Sequence, residues 1–443
     1  MSAQSEIMKV GTGISAFEPM MPDVSSYTIS FGRLLTWEAD PWYEVCRAWF
    51  ESSYIHAGIS GFECTISGPD AQKLLSYASI NNVYKWKIGS CKHLVMCDEN
   101  GLITNHALFM RDSEDTFRTT AGMDYAFLSL NDGTYDVKVS TREVFVFQFS
   151  GPKSLTILEK LLKRDLHDVR FLENRTVEIP GLATQPIELC RIGMSGTLAY
   201  ELRGAAEDGP AVYAAAYEAG KPLGLKRLGW RSYPVNHTYG GFPQATCTFE
   251  SSLFVDEQFQ KIALNGLAPT GSVDPDDLRA RFRTPGEVGW MWMARFDHDF
   301  RGREAVEAEA AGPKRTIVSL EWNHEDIVDI YVSMFTDDPY KYMEMPTAQR
   351  EPAGGHQDYI RDADGKVVGY SATPIYSSWY RTMISESIVD TELAVEGTEL
   401  TVDWGDFGGK IKSVRAKVVR YPDIDIERNE SYDTSTVEHG ESL

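Results

Sequence analysis

Two segments of the chain share one local pattern, and this repeat constrains the fold more than any other feature of the sequence. ISGPDAQKLLSYAS begins at Ile66 and FSGPKSLTILEKLL begins at Phe149. Each has an apolar run, the triplet Ser-Gly-Pro, and apolar residues at three- and four-residue spacing. The runs GFECTI and EVFVFQF alternate as strands do, and proline is common at the first position of a helix. The repeat predicts an α+β fold with a duplicated strand–Ser-Gly-Pro–helix module.

The last part of the chain has a different texture. From about residue 314, short runs rich in β-branched and aromatic residues are broken by Gly, Pro and Asp, which is typical of an antiparallel β-barrel. We divide the chain accordingly. The predicted units are a first α+β module over residues 1–140, a second over 141–313 that holds a ligand groove, a C-terminal β-barrel over 314–425 and an acidic tail over 426–443 that we expect to be mobile.

Charge and cysteine usage narrow the class of protein. The 443 residues include 43 Lys and Arg against 65 Asp and Glu, a formal net charge of −22, which disfavours nucleic acid and anionic membranes as partners. No apolar run is long enough for a transmembrane helix or a signal peptide. The six cysteines form neither a CxxC pair nor a zinc-spaced cluster. We therefore expect a cytoplasmic protein with reduced thiols and no metal.

The segment GWRSYPVNHTYGGFP, residues 229–243, is too polar for a core strand and too aromatic for an ordinary loop. Pro234 and the pair Gly240-Gly241 indicate a stiffened turn. Two phenols, an amide and an imidazole on such a turn indicate a candidate small-molecule pocket. The predicted substrate-binding residues of this segment are Asn236, His237 and Tyr239.

Several motifs occur in an order that resembles one family. After the Ser-Gly-Pro repeat come RIGMSGTLAYELRG at 191–204, FDHDFRGREAVEA at 296–308 and the closing GTELTVDW. Together they resemble the glycine cleavage T-protein (aminomethyltransferase) and the related tetrahydrofolate-dependent demethylases, over roughly residues 20–425. RSYPVN, within 229–243, is similar to a segment of the vanillate/syringate O-demethylases, which within the family resemble the chain most. The resemblance implies a T-protein-like fold and tetrahydrofolate as cofactor.

The same resemblance implies roles for individual residues. Glu201 matches the family carboxylate that accepts hydrogen bonds from the pterin ring, and Phe242 matches an aromatic residue that packs on folate. Gln148 and His93 match positions that line the folate groove. Tyr233 matches the catalytic tyrosine of the O-demethylases. A phenol near an aryl ether can donate a proton or hydrogen bond as the leaving oxygen gains charge.

The sequence also departs from the T-protein pattern. Where the T-protein has its catalytic aspartate, GLITNHALF gives Asn105 and His106. Chemistry on an aminomethyl group is therefore not expected. An extra imidazole near the predicted groove suggests proton transfer instead, and His106 is a candidate catalytic residue.

A second departure concerns the O-demethylases. Where they have a Gln and a His, this chain has Ala57 and Ser60, with His56 adjacent, and Gly122 stands at the position of their substrate-binding arginine. Arg118 is near in sequence, but alternation does not tell whether it faces the groove. A carboxylate usually needs a bidentate arginine, so we expect a substrate other than vanillate. His56 is a second candidate catalytic residue, and Ser60 a candidate substrate contact.

Three functions fit these residues. The first is O-demethylation of a lignin-derived methoxy-aromatic with methyl transfer to tetrahydrofolate. The second is a formaldehyde lyase that acts on the hydroxymethyl group of lignin-derived aromatic dimers and does not consume folate. The third is a folate-binding protein without catalysis. The oligomeric state is not predicted.

Overall fold

The structure is a computed structural model. It describes residues 23–440 apart from 25, 31–32, 58–60, 120–123, 132, 180, 246, 263–268 and 348–354. The helices of this part are α1 (Trp42–Glu51), α2 (Ala71–Ala78), α3 (Asp124–Leu130), α4 (Ser154–Leu162), α5 (Gly209–Gly220), α6 (Tyr233–Gly240), α7 (Glu257–Ile262), α8 (Arg303–Ala310) and α9 (His324–Ser333). The strands before α6 are β1 (Ser26–Ser30), β2 (Arg33–Glu38), β3 (Ser53–His56), β4 (Phe62–Ser67), β5 (Cys91–Cys97), β6 (Ile103–Arg111), β7 (Thr116–Thr119), β8 (Lys138–Ser150), β9 (Asn174–Val177), β10 (Ile187–Cys190), β11 (Ala199–Ala205) and β12 (Leu225–Arg227). The strands after α6 are β13 (Arg315–Trp322), β14 (Asp358–Arg361), β15 (Val367–Ser377), β16 (Thr382–Asp390), β17 (Glu399–Trp404) and β18 (Lys412–Val419).

Strands β3 to β12 form a ten-stranded sheet. Its main path runs β5-β6-β7-β4-β8-β11-β10-β9, and β3 pairs with both β8 and β12. The 13-residue strand β8 joins the two repeats, because its first half pairs with β4 and its second half pairs with β3 and β11. The sheet therefore brings side chains from both modules to one wall.

The glycine of each Ser-Gly-Pro triplet occupies the same special conformation. Gly68 has φ +130° and Gly151 has φ +133°. A Cβ on Gly68 would lie 2.5 Å from the carbonyl oxygen of Asp136, and one on Gly151 would lie 2.5 Å from that of Ser52. Only glycine combines this φ with such a close backbone approach. The predicted repeat of strand, triplet and helix is confirmed.

The prolines of the triplets lie before the helices and not at their first position. Hydrogen bonds from Ala71 N–H to Gly68 O (3.0 Å) and from Ser154 N–H to Gly151 O (3.1 Å) close a four-residue turn in each unit. Proline therefore follows the first residue of a β-turn, where its fixed φ is favoured. Each helix starts two residues later than the sequence pattern predicts.

The C-terminal barrel is confirmed. Six antiparallel strands close in the order β13-β16-β15-β14-β17-β18. Its core contains Trp322 and Trp404, whose rings lie 6.0 Å apart, together with Ile360 and Val402. In the part of the chain that the structure describes, no helix has the length and apolar character needed to cross a membrane.

The acidic segment after the barrel packs on the second module instead of extending from it as a mobile tail. Arg191 donates to the Asn429 carbonyl oxygen at 2.8 Å, and Gly440 N–H donates to the buried Glu159 carboxylate at 2.9 Å. His167 contacts the same carboxylate at 2.8 Å. Buried polar groups on the module thus supply partners for the backbone of this segment. The other predicted unit boundaries stay predictions.

Candidate active site

A cavity of about 1260 Å³ lies against the ten-stranded sheet and is covered by α6, the loop after it and the segment around Trp290. It brings together seven of the residues singled out from the sequence. These are His56 on β3, His93 on β5, His106 on β6, Gln148 on β8, Glu201 on β11, Tyr233 on α6 and Phe242 after α6. The positions are far apart in sequence, and sheet pairing makes them neighbours.

The segment GWRSYPVNHTYGGFP forms a short helix and not the stiffened turn expected from its sequence. Helix α6 begins at Tyr233, with Pro234 in its first turn, where a missing N–H costs nothing. It ends at Gly240, and the next residue, Gly241, has φ +67° and caps the helix by donating its N–H to the carbonyl oxygen of His237. A Cβ on Gly241 would lie 2.5 Å from Pro422. The glycine therefore allows α6 to pack closely against the segment after the barrel.

Tyr233 is buried at the cavity wall and is held on several sides. Its hydroxyl donates to Gln244 Oε1 at 3.0 Å. Its ring lies 4.7 Å from the ring of His56 and 4.4 Å from that of His237. Burial raises the pKa of the Tyr233 phenol well above its ordinary value. The residue is therefore a neutral hydrogen-bond donor whose position is fixed.

His93 and His106 contact each other across the β5–β6 pair, with Nε2 of His93 3.2 Å from Nδ1 of His106. The backbone N–H of Ala245 donates to Nε2 of His106 at 2.9 Å. Because a backbone N–H can only donate, Nε2 of His106 carries no proton. The neutral ring then has its proton on Nδ1 and donates it to His93.

Burial keeps the imidazoles of the site neutral. It lowers the pKa of His56 to about 3, of His93 to about 4 and of His237 to about 3. The pKa of His106 also falls well below its ordinary value, mainly through burial and secondly through His93. Desolvation disfavours the charged form of a base. This part of the cavity is thus rich in neutral hydrogen-bonding groups and holds no imidazolium at neutral pH.

Three acidic side chains are found among the described residues that line the cavity, and Glu201 is the least exposed of them. It lies directly opposite Gln148 in the β8–β11 register, and Gln148 Nε2 donates to its Oε1 at 3.4 Å. Arg203 Nη2 donates to its Oε2 at 2.9 Å. Burial raises the pKa of Glu201, and the charge of Arg203 opposes that rise. The carboxylate faces the cavity with one oxygen tied to a cation behind it.

Two cavity residues were missed by sequence reasoning. Trp290 lies 4.8 Å from His106, 5.3 Å from His93 and 6.1 Å from Phe242, measured between ring centroids. Gln244 is the acceptor for Tyr233. The aromatic run GWMWM, just before FDHDFRGREAVEA, was a usable signal for Trp290. No local signal pointed to Gln244, because its partner is set by the tertiary fold.

The predicted substrate-binding residues lie in different surroundings. Tyr239 points to the barrel, where its hydroxyl lies 2.9 Å from Thr382 Oγ1 and its ring stacks on Tyr380. Asn236 and His237 are buried on α6. Among the described residues, the cavity lining does not include these three α6 side chains. Ser60 and Gly122 lie outside the described residues, and the proposed substrate roles stay predictions.

Arg118 does not line the cavity. It donates to Glu63 at 2.9 Å and to Glu188 at 2.6 Å, and it also pairs with Asp112. The cationic side chains that line the described cavity are Lys85, Lys92, Arg295 and Arg428, all of them exposed or partly exposed. The buried lining side chains in this part of the chain therefore include no cation, which leaves a substrate carboxylate without a buried partner.

Comparisons with known proteins agree with this architecture. Residues 48–243 match the family model described as the GCVT N-terminal domain. The chain is 35% identical over 413 residues to a sesamin methylene transferase from Sinomonas sp. (strain No.22), covering 87% of this chain and 90% of the relative. It is 28% identical over 395 residues to a syringate O-demethylase from Sphingobium sp. strain SYK-6, covering 84% of each.

A solved structure shows the same fold. Aminomethyltransferase T of the glycine cleavage system from Bartonella henselae superposes with a TM-score of 0.66 at 15% identity, covering 92% of this chain and 95% of that one. The predicted T-protein-like fold and the predicted resemblance are both confirmed. The chain belongs to the GCVT, or aminomethyltransferase, family.

Proposed function

We propose that this protein removes a one-carbon unit from an uncharged aromatic ether and transfers it to tetrahydrofolate. The observation that carries this proposal is the composition of the inner cavity. It combines a paired carboxylate, a fixed phenol and neutral imidazoles, and its buried, described lining has no cation. The names of the two relatives, a methylene transferase and an O-demethylase, support the class of reaction.

The cavity suits a folate. Its volume of about 1260 Å³ is above the usual range for a single small ligand, so it has room for a pterin cofactor beside a substrate. Glu201 would accept hydrogen bonds from the N–H donors on one edge of the pterin, with Gln148 and His93 beside it. Phe242 and Trp290 supply flat apolar surface for its ring. When bound, tetrahydrofolate supplies the amine that accepts the one-carbon unit.

The residues around Tyr233 would handle the proton balance at the ether. Cleavage of an aryl ether leaves negative charge on the oxygen, and the neutral Tyr233 phenol can donate to it. The phenol has a single proton, which Gln244 Oε1 accepts in this structure, so the O–H would turn from Gln244 to the ether oxygen during the reaction. His56, whose ring packs on Tyr233, is our first choice to accept the proton that the folate amine would lose when it bonds to the one-carbon unit. His106 is the second choice, because its Nε2 already accepts a hydrogen bond from Ala245.

Two forms of the reaction remain, and different observations favour them. Higher identity to the sesamin methylene transferase and a lining without a buried cation favour transfer of a methylene bridge from an uncharged methylenedioxy-aromatic. The segment RSYPVN and the similarity to the syringate O-demethylase favour transfer of a methyl group from a methoxy-aromatic. We place methylene transfer first and methyl transfer second.

A product assay separates these reactions. Purified protein is incubated with methylenedioxy- and methoxy-aromatics, each as an uncharged compound and as its carboxylate analogue, with and without tetrahydrofolate. Methylene-tetrahydrofolate plus a catechol identifies methylene transfer, and 5-methyl-tetrahydrofolate plus a phenol identifies methyl transfer. Because free formaldehyde condenses with tetrahydrofolate, a folate-free arm with a formaldehyde trap is essential. Formaldehyde in that arm would indicate the lyase, and folate binding without any turnover would indicate a binding protein.

A further inference from the structure

Arg203 lies behind the cavity wall, two residues after Glu201 on β11. Side chains at i and i+2 of a strand share a face, and the guanidinium reaches back to Glu201, with Nη2 2.9 Å from Oε2. The side chain of Arg203 is 3% exposed and that of Glu201 is 13% exposed. Arg203 is not among the described residues that line the cavity. It is placed to act on a ligand only through Glu201.

Within the described part of the chain, Glu201 is the carboxylate that forms an ion pair with Arg203, while Glu188 and Glu63 act on it at longer range. Its Nη1 contacts the sulfur of Met110, which packs in one cluster with Cys91 and Cys190. Glu188 on the neighbouring strand is itself paired with Arg118 at 2.6 Å. Among described residues, Glu201 is the carboxylate that Arg203 contacts. A buried ion pair of this kind is interdependent, because removal of one member leaves the other charge without compensation.

We propose that Arg203 is a positioning residue that keeps the Glu201 carboxylate ionised and oriented to receive the pterin of folate. The inference rests on the proposed function, because the pterin contact of Glu201 is part of it. Without Arg203, burial would raise the pKa of Glu201 further, because the charge of Arg203 opposes that rise. A protonated carboxyl presents one acceptor oxygen fewer and one competing donor.

The other groups that face Glu201 cannot replace Arg203. Gln148 on β8 is uncharged, Cys190 lies opposite Glu201 on β10, and Tyr233 approaches from α6. The contact with Cys91, together with burial, raises the pKa of the Cys190 thiol well above its ordinary value, and burial does the same for the Tyr233 phenol. These neighbours are therefore neutral at the pH of interest, and Arg203 is the charge that offsets the burial of Glu201.

The test measures affinity for 5-methyl-tetrahydrofolate between about pH 6 and about pH 9, using quenching of tryptophan fluorescence and calorimetry. The proteins are the wild type, Arg203→Met, Arg203→Lys, Glu201→Gln and the double variant. We expect Arg203→Met to bind at least about 10-fold more weakly at neutral pH and to recover as pH rises. Loss of a close counter-charge raises a carboxyl pKa by about 1–3 pH units. The pH midpoint of folate binding by Arg203→Met should therefore rise by about the same amount. Arg203→Lys should restore most of the wild-type profile, and the double variant should lack the shift.

Each result is decisive. Wild-type binding with an Arg203→Met curve that falls on the wild-type curve would overturn the role of Arg203 alone. No binding by the wild type would overturn this inference together with the folate assignment. If Arg203→Met does not fold, the infrared difference between wild type and Glu201→Gln at neutral pH provides the test. A carboxylate band supports the inference, and a protonated carboxyl band contradicts it.

Discussion

The two faces of the cavity handle buried polar groups in opposite ways. One, the imidazole face, consists of His56, His93, His106 and Tyr233, and it adjoins the other, because His56 lies opposite Gln148 in the β3–β8 register. The other, the carboxylate face, consists of Gln148 and Glu201 with Arg203 behind them. On the imidazole face every titratable group is neutral, because burial lowers the imidazole pKa values and raises that of the phenol. On the carboxylate face burial also raises the pKa of Glu201, but the buried counter-charge of Arg203 opposes that rise.

This difference separates two tasks. A neutral face with donors and acceptors can move a proton to and from an ether oxygen without binding an anion. An ionised face gives strong, directed hydrogen bonds to N–H donors. One cavity can therefore position a cofactor with a charged group and carry out proton transfer with neutral groups. The substitutions below alter one face at a time, from the largest expected effect to the smallest.

Removal of the Tyr233 hydroxyl should have the largest effect. We expect Tyr233→Phe to lower kcat by about 100-fold or more, because a positioned proton donor contributes on the order of 10²–10⁴. Folate affinity should change little, because the phenol belongs to the imidazole face. Product formation under saturating folate and a folate titration measure the two quantities.

Tyr239→Phe is the matched control, since it removes the same atom from the same helix. The Tyr239 hydroxyl contacts Thr382 in the barrel. We expect near-normal kcat and KM. A rise in KM for the aromatic substrate would instead support the predicted substrate role of Tyr239, and an unchanged kcat in Tyr233→Phe would remove Tyr233 from the reaction.

Neutralising the carboxylate face should weaken binding more than turnover. We expect Glu201→Gln to reduce folate affinity by about 10- to 100-fold, since hydrogen bonds to a charged group contribute about 1.5–3 kcal/mol. Glu250→Gln is the control, because Glu250 is buried outside the described cavity lining and burial raises its pKa to about 8. Equal folate affinity in wild type and Glu201→Gln would contradict the assignment of this face.

Loss of the indole that covers the cavity should have a smaller effect. Trp290 contacts His93, His106 and Phe242. Aromatic contacts contribute about 0.5–1.5 kcal/mol beyond their buried area, so Trp290→Leu should weaken ligand binding by roughly 3- to 10-fold or more. Trp379→Leu, which alters a tryptophan stacked on Phe50, is the control. Indistinguishable affinities of the two variants would show that Trp290 does not contact the ligands.

The smallest expected effect is that of pH on turnover. The pKa values of His56 and His237 are about 3 and that of His93 is about 4, so these rings stay neutral down to mildly acidic pH. At saturating folate and substrate, kcat should therefore be nearly flat between about pH 6 and about pH 8. A midpoint near 6.5, the ordinary value for histidine, would mean that an imidazole of this face titrates normally and that burial does not keep it neutral.

The large features of the fold could be predicted because they have local signals. The triplets at Gly68 and Gly151 require a backbone conformation that only glycine adopts easily, and alternation marks the barrel strands. Helix α6 was misread as a turn, since Pro234 and Gly241 break a helix in general but also mark its first turn and its end. With only a few residues between them, the pattern did not distinguish the two cases.

The site was predictable only in part. Glu201 and Tyr233 follow from family motifs, and the structure brings both to the cavity. The contact between His93 and His106 depends on the register of β5 and β6, and the contact between Tyr233 and Gln244 depends on how the loop after α6 folds back. Neither the register of two strands nor the path of a loop can be predicted from the local sequence pattern. The pairing of Arg203 with Glu201 fits strand alternation, but alternation does not tell which face is inside.

The most direct test of the account follows the carbon itself. An uncharged methylenedioxy-aromatic labelled with ¹³C in its bridge is mixed with enzyme and tetrahydrofolate, and the folate and formaldehyde pools are analysed after one turnover. The account predicts that the label appears in methylene-tetrahydrofolate, that no product forms without folate, and that the carboxylate analogue reacts more slowly. Formation of the catechol at the same rate with and without folate, with labelled formaldehyde in the trap of the folate-free arm, would contradict it.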